Sequence, residues 1–278
     1  FIILFHSWLY CYAESGQRIS VLDFGAIPDD GLDDSENIRK ACEYCRDNKS
    51  TVLFFPPGLY NFRDSLALQI EREAINGVYG ENVQGRLFKP DAPYVKALDL
   101  FGAENLVVEA EGAILLLEGW YEVVSIDKAR EVTIKGLSIV YRRPPNTVGK
   151  ITKLNEGSFD MQIDPERYFY LDKDVTGRVH YVDAMRERLY TGGRVSGKEL
   201  LSKDMIRIYT DFRPSTGDFC VLRHSGHYRP AIMIKESSDI YIEGVKIHSQ
   251  PGMGVVGHLS ENITLENLQV IPEAGWII

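Results

Sequence analysis

The sequence predicts an all-β protein: a parallel β-helix with an N-terminal capping helix and a small inserted antiparallel β-barrel or sandwich. Three segments share one pattern, in which apolar residues alternate, a Gly or Asn makes a corner, and alternation resumes. They are Glu131–Ile139, Asp239–Ile247 and Asn262–Val270. The last two copies begin 23 residues apart, about one turn of a three-strand solenoid. One such rung cannot bury its apolar face alone, so stacked rungs must share the core.

The composition describes a globular protein and limits its partners. Of the 278 residues, 44% are hydrophobic and 26% are charged, and the net charge is -9. No basic run is present, so nucleic acid is not expected as a partner, because its binding relies on clustered Lys and Arg. The same acidic balance argues, more weakly, against a carboxylate-rich polymer as the preferred ligand.

The first residues, Phe1–Ala13, are apolar and uncharged, and the polar run Glu14–Arg18 follows at once. This run is too short for a membrane-spanning helix, which needs about 20 residues. We interpret residues 1–13 as the remnant of a secretory signal cleaved before Glu14, with a buried first strand as the alternative. The charged start of such a signal is missing, so we expect the chain to be incomplete there. The prediction is a bacterial protein that is secreted, periplasmic or at the cell surface, with no membrane attachment after cleavage.

The segment after the signal reads as strand, acidic loop, helix and strand. We predict a strand over Ile19–Ala26, a helix from about Glu36 to Asp47, and a strand over Thr51–Phe55. Asp34 or Ser35 is expected to cap the helix with its side chain. The alternative reading of the acidic loop, a Ca²⁺ site, does not fit the spacing of a 12-residue cation loop.

The cysteines do not predict a metal site, a redox site or a disulfide framework. Cys42 and Cys45 share a helix face with Ile38 and Ala41, which is typical of a buried core face. No second ligand pair accompanies them, and Cys220 has no obvious partner.

The repeat disappears between Tyr141 and Leu222, where short alternating strands replace it. These strands are predicted over 159–163, 179–182 and 205–209, with an exit hinge at Arg142–Pro145 and re-entry near Gly217–Phe219. The predicted domains are therefore the signal remnant at 1–13, the cap and first coils at 14–140, the inserted domain at 141–222, and resumed coils at 223–278.

The opening segment also carries a resemblance. Its run ISVLDFGAIPDDGLDDSENIRKAC followed by STVLFFPPGLY resembles the start of pectate-lyase-like (pectin-lyase-like) proteins. The resemblance implies a right-handed parallel β-helix and, by itself, no particular chemistry.

Three further stretches narrow the resemblance: Ser138–Pro144, Gly217–His224 and Pro251–Val256. Together with the insert they resemble glycoside hydrolase family 110, which are exo-acting α-1,3-galactosidases. This resemblance implies inverting hydrolysis of terminal α-galactosyl residues of a glycan or oligosaccharide, without a metal or other cofactor. It places the catalytic aspartates on coils after the Gly252–Gly254 strand, C-terminal to Ile278, so no catalytic residue is assigned. The uncapped apolar end Ala274–Ile278 likewise predicts that the solenoid continues.

Five residues are candidates for contact with substrate: Arg223, His224, Tyr228, His248 and Gln250. The 23-residue period stacks 250 over 227, 253 over 230 and 255 over 232, so both segments would emerge side by side before successive strands. Planar hydrogen-bonding groups beside an aromatic ring suit a sugar. The alternative is that Arg223 and His224 simply hold the insert to the solenoid; His258, at a strand end, is a weaker candidate.

Two other readings stay open. The chain is alternatively a polysaccharide lyase or polygalacturonase-like β-helix enzyme, which would carry Ca²⁺-binding acids and a basic cleft, or stacked aspartates. The third reading is a non-catalytic glycan-binding β-helix, like an adhesin or tail spike, which needs no paired carboxylates.

Overall fold

The structure, a computed structural model, describes residues 16–80, 85, 94–143, 146–165, 179–186, 188–223, 229–250 and 252–271. The predicted signal remnant and the last residues, 272–278, lie outside this part of the chain. Within the described residues there are two α-helices and 22 strands. None of these helices is long and apolar enough to cross a membrane.

Fifteen strands form three parallel sheets. Sheet 1 has the order β1 (Gln17–Ser20), β2 (Thr51–Phe54), β5 (Glu104–Glu109), β8 (Arg130–Lys135), β18 (Ser238–Glu243) and β21 (Glu261–Glu266). Sheet 2 has the order β3 (Gly58–Phe62), β6 (Ala113–Leu117), β9 (Ser138–Tyr141), β19 (Lys246–Ile247) and β22 (Gln269–Val270). Sheet 3 has the order β4 (Val95–Asp99), β7 (Tyr121–Asp127), β17 (Ile232–Lys235) and β20 (Val255–His258).

Each coil passes from sheet 1 to sheet 2 to sheet 3, and the strand registers match the predicted repeat. Ile240 pairs with Ile263 in sheet 1, and Ile232 pairs with Val255 in sheet 3, so the last coil is 23 residues long in both sheets. The alternating apolar residues point into one continuous core that the stacked coils share. The predicted β-helix is confirmed.

The corners of the solenoid use left-handed backbone at stacked positions. At the corner between sheets 1 and 2, Gly136 and Gly244 have φ values of 75° and 66°, and Asn267 has 52°. Gly and Asn are the residues that tolerate this region of φ best, so the predicted corner role of these positions is confirmed. The second residue of four sheet 1 strands is also left-handed: Asn105 in β5, Glu131 in β8, Asp239 in β18 and Asn262 in β21.

The helix α1 (Ser35–Asp47) closes the first coil. Ile38, Ala41, Cys42 and Cys45 are buried in the core, as their spacing predicted. Burial raises the pKa of both thiols, to about 12 for Cys45, so both remain protonated and inert at neutral pH. The strand predicted over Ile19–Ala26 is shorter than expected, because Ser20 begins a 3₁₀ turn over Val21–Phe24.

The prediction that Asp34 or Ser35 caps α1 with its side chain is wrong. Asp34 stands at the N-cap, but its carboxylate accepts instead from the N–H groups of Ile27 at 3.1 Å and Asn61 at 2.9 Å. The carboxylate of Asp33 accepts from the Ser35 N–H at 3.1 Å. Tertiary partners thus compete successfully with the local cap, because β3 is the edge strand of sheet 2 and needs acceptors.

The insert is an antiparallel sheet with its own core. Its order is β13 (Arg188–Thr191), β12 (Val179–Asp183), β16 (Phe219–Arg223), β10 (Asn146–Asn155), β11 (Ser158–Ile163), β15 (Met205–Thr210) and β14 (Val195–Ser202). Phe159 and Tyr181 pack at its centre.

The insert boundaries differ from the sequence prediction by small shifts. Tyr141 still pairs with Leu117 in the solenoid, whereas Arg223 pairs with Asn146 in the antiparallel sheet. The predicted re-entry near Gly217–Phe219 therefore falls too early, because Phe219 begins β16 inside the insert. The solenoid resumes at Ile232.

Candidate functional site

Three of the four connections from sheet 2 to sheet 3 are long, and only the one between β6 and β7 is short. From sheet 1 to sheet 2 and from sheet 3 to sheet 1, the chain uses only two to four residues. From sheet 2 to sheet 3 it adds helix α2 (Ser65–Ile75) after β3, the whole insert after β9, and residues 248–254 after β19. Binding residues are commonly carried by such connections on a rigid frame. We call this side of the solenoid the long-loop corner.

Two predicted substrate residues, His248 and Gln250, lie at the long-loop corner directly after β19. The His248 N–H donates to Ile139 O at 2.9 Å, and Ser249 Oγ accepts from the Tyr141 N–H at 3.0 Å. These bonds fix the backbone that carries both side chains. Both residues are half-buried, and the buried His248 Nδ1 has no hydrogen-bond partner among the described residues. This nitrogen is chemically able to bond a ligand hydroxyl.

The other three predicted substrate residues are only partly described. Arg223 ends β16, and its register with Asn146 puts it at the base of the insert, where the chain approaches the solenoid. His224 and Tyr228 lie outside the described residues. The predicted closeness of the segments around 223–228 and 248–250 therefore stays a prediction.

Arginines other than Arg223 hold the insert to the solenoid. Arg143, on the departing chain, lies 3.5 Å from Glu71 of α2. Arg229, on the returning chain, lies 3.6 Å from Glu122 of β7, and its guanidinium stacks 3.8 Å from the Tyr94 ring centroid. From the sequence, only Arg223 and His224 were candidates for holding the insert to the solenoid. Arg143 and Arg229 were missed, because their partners are 72 or more residues away in the chain.

Glu118, in the connection between β6 and β7, forms ion pairs with two further arginines. Its Oε1 accepts from Arg63 Nε at 2.8 Å and from Arg142 Nε at 2.9 Å. Arg63 follows β3, Glu118 follows β6 and Arg142 follows β9. The Glu118 carboxylate therefore connects three successive coils. The adjacent residues Arg142 and Arg143 could have indicated these ion pairs from the sequence, where they predicted an exit hinge instead.

Burial shifts the pKa values of the more enclosed carboxyls. Desolvation raises the pKa of Glu71, and the nearby Arg143 partly opposes it. Desolvation likewise raises the pKa of Glu122, against the opposing effects of Ser125 and Arg229. Both shifts mean that ionising these groups in the folded protein is costly despite the arginine partners.

Sheet 3 carries a polar column at the C-terminal ends of its strands, where the chain turns back to sheet 1. Lys235 pairs in register with Asp127 on one side and with His258 on the other. Lys235 Nζ lies 3.7 Å from Asp127 Oδ2, and Lys96 Nζ lies 2.9 Å from Asp99 Oδ1. The carboxylates of sheet 3 in the described chain thus each have a cationic neighbour. They do not form an unpaired acid and base on this sheet.

Metal chemistry has no candidate ligand set in the residues that the structure describes. Among them, no three His, Cys, Asp or Glu side chains group closely enough to hold an ion. The acidic loop, once considered for Ca²⁺, uses its carboxylates as acceptors for backbone N–H groups instead.

The strand registers and the long-loop corner define the class of protein: a parallel β-helix that carries an antiparallel insert between its second and third sheets. No family model matches the chain. Among solved structures it is similar to a family 28 exopolygalacturonase of Yersinia enterocolitica, with a TM-score of 0.41 and 11% identity, covering 94% of this chain and 40% of that one.

Curated relatives confirm the narrower resemblance. The chain is 25% identical to α-1,3-galactosidase B of Bacteroides thetaiotaomicron, over 92% of this chain and 44% of that protein. It is 21% identical to α-1,3-galactosidase A of Shewanella woodyi and 22% identical to α-1,3-galactosidase A of Bacteroides fragilis, over 93% and 94% of this chain. The chain is thus similar to the α-1,3-galactosidases, and it spans less than half the length of these three relatives.

Proposed function

We propose that the complete protein containing this chain is a glycoside hydrolase that releases galactose from terminal α-1,3-linked galactosyl groups. One observation carries the proposal: the similarity to proteins named α-1,3-galactosidase extends over at least 92% of the chain, and so includes solenoid and insert alike. Their names supply the sugar and the linkage.

The proposed mechanism is inversion at the anomeric carbon. It needs one carboxylic acid to protonate the leaving oxygen and one carboxylate to activate water, with the two about 6.5–9.5 Å apart. We propose that both lie on coils stacked beyond β20, in the part of the relatives that this chain does not span. Arg223, His224, Tyr228, His248 and Gln250 would bind the sugar from the long-loop corner. The buried Nδ1 of His248 supports its share of that role.

Export is part of the proposal. The apolar, uncharged run Phe1–Ala13, followed by polar residues, supports cleavage before Glu14 and release from the cytoplasm of a bacterium. Amino-terminal sequencing of the mature natural protein tests this point. A mature protein that retains Phe1–Ala13 would contradict it.

The function is tested with the complete natural protein and an α-1,3-linked galactosyl disaccharide. We expect galactose release, with the β-anomer appearing first by NMR because the mechanism inverts. His248→Ala and Gln250→Ala should each raise KM about fivefold, since one hydrogen bond is worth about 1 kcal/mol. Gln17→Ala, on exposed β1 at the opposite end of the solenoid, is the matched control and should leave KM unchanged.

The alternative functions predict different products or none. Absence of galactose release would overturn the hydrolase proposal. Unsaturated uronide products from polygalacturonate would instead identify a lyase, and new reducing ends from that polymer a polygalacturonase. Binding of glycans without turnover would identify a non-catalytic β-helix.

A further inference from the structure

The insert and the solenoid have separate hydrophobic cores. The solenoid core includes residues from sheets 1, 2 and 3, whereas the insert core is built from β10, β11, β12, β15 and β16. In the described chain no buried residue belongs to both cores. Apolar packing therefore stabilises each unit internally but does not set the angle at which the insert stands on the solenoid. The contacts at the base of the insert must do so.

Among the described residues, the contacts at the base of the insert include ion pairs between three arginines and three carboxylates. Arg142 and Arg143 lie on the departing chain and Arg229 lies on the returning chain; their partners are Glu118, Glu71 and Glu122. The partners come from three different places: the connection after β6, helix α2 and strand β7. We call these six residues the stem clamp. Contacts at three separate places fix an orientation, which a single contact does not.

Two of the three pairs are shielded from water. The side chains of Arg143 and Glu71 are 9% and 14% exposed, and those of Arg229 and Glu122 are 8% and 2% exposed. Such pairs add little net stability, because removing the charges from water offsets their attraction. Their burial nevertheless restricts where each charge can lie, and the Arg229 guanidinium is also held flat against the Tyr94 ring.

The solenoid side of the clamp is itself rigid. Trp120 N–H donates to Ala67 O at 3.1 Å, and a Cβ on Gly119 would meet the Ala67 backbone at 2.6 Å, so α2 sits tightly on the connection after β6. Ile70 and Ala74 of α2 pack with Trp120. Glu71 and Glu118 are therefore carried by parts of the solenoid that cannot shift independently.

We propose that Glu71, Glu118 and Glu122 are positioning residues, which orient the insert over the long-loop corner and so align the residues that bind substrate there. The part of this inference that concerns substrate rests on the proposed function. The part that concerns orientation does not, because it follows from the clamp geometry alone.

The test compares Glu71→Gln/Glu122→Gln with the control Glu36→Gln in the complete protein. Glu36 pairs with Lys40 on the exposed face of α1, at the first coil of the solenoid. In the double variant we expect amide hydrogen exchange to accelerate about tenfold in residues 136–143 and 229–235, with exchange in β11 and β15 unchanged. KM for the galactoside should rise about tenfold while kcat changes less than twofold. The control should match the wild type in the exchange of the stem segments, in the exchange of β11 and β15, in KM and in kcat.

Two results would overturn parts of this inference. Unchanged exchange at both stem segments would overturn the clamp, whatever the kinetics. Faster exchange with unchanged KM would overturn the link to substrate alignment. If the double variant does not fold, Arg143→Lys replaces it: the charge is retained and the planar fork is lost, and the same exchange and KM changes are expected. A wild type without galactosidase activity would refute the proposed function, while the exchange measurement still decides the orientation.

Discussion

At the residue scale, the acidic loop illustrates how a local motif acquires a tertiary role. Asp29, Asp34 and Asp33 accept from the N–H groups of Leu59, Asn61 and Arg63, at distances of 3.0, 2.9 and 3.0 Å. These are alternate N–H groups along and just beyond β3, the edge strand of sheet 2. The carboxylates satisfy donors that an adjacent strand would otherwise bind, and so protect the edge.

Replacement of Asp34 by Ala should therefore be strongly destabilising. It leaves the N–H groups of Ile27 and Asn61 without this acceptor, and Asp34 is only 2% exposed. We expect a loss of about 2–4 kcal/mol in the free energy of unfolding, measured by urea denaturation. Asp30→Ala is the control in the same loop, because exposed Asp30 only accepts from the nearby Leu32 N–H. Equal losses in the two variants would contradict the edge-protection role.

At the element scale, the corners decide how closely successive coils stack. Gly136 and Gly244 occupy the same corner one coil apart, since Lys135 pairs with Glu243. Both have a positive φ, but their surroundings differ. A Cβ on Gly136 would meet the Glu111 backbone at 2.6 Å, whereas on Gly244 the nearest atoms are 3.8 Å away.

Alanine at the two corners should therefore have unequal effects. Gly136→Ala and Gly244→Ala share the strain of a left-handed residue, about 1–2 kcal/mol. Gly136→Ala also forces the Glu111 backbone to move, which should add about 1–3 kcal/mol. Urea denaturation of both variants measures the difference. Equal destabilisation by the two substitutions would show that the contact with Glu111 does not limit residue size at position 136.

At the scale of the whole molecule, two separate cores predict two unfolding units, and one buried carboxyl in each responds to acid in the opposite direction. In the insert, the Arg207 hydrogen bond to Asp160 lowers the pKa of Asp160 below its usual 3.8. This interaction stabilises the insert above that pH and is lost as the pH falls through the lower, folded value. In the solenoid, burial raises the pKa of Asp34, so its contribution is greatest at low pH and is lost as the pH rises through the folded value.

Acidification from about pH 5 to about pH 2.5 should therefore lower the unfolding temperature of the insert more than that of the solenoid. Calorimetry, with exchange in β11 and β5 to identify the units, measures both transitions. Asp160→Asn should remove much of the additional sensitivity of the insert, and exposed Asp211→Asn should retain it. A single transition at every pH would contradict the two-unit description.

The sequence by itself determined the solenoid, the cap helix and the resemblance to α-1,3-galactosidases. These rest on local signals: alternation with period two, a Gly or Asn at each corner, a 23-residue spacing, and an apolar helix face at Ile38, Ala41, Cys42 and Cys45. Each signal lies within one rung or one helix, so it can be read without knowing which segments meet. Counting along the repeat also put the candidates His248 and Gln250 just before a sheet 3 strand, which the structure has as β20; their contact with substrate stays a prediction.

Only the tertiary structure decided which carboxylates meet which donors. Asp34 bonds Asn61 rather than capping its own helix, and Arg143 and Arg229 meet Glu71 and Glu122. These partners are 27 to 107 residues apart in the chain. The energy of a buried charge depends on its enclosure and its nearest counter-charge, which the folded coils create together and no single segment contains.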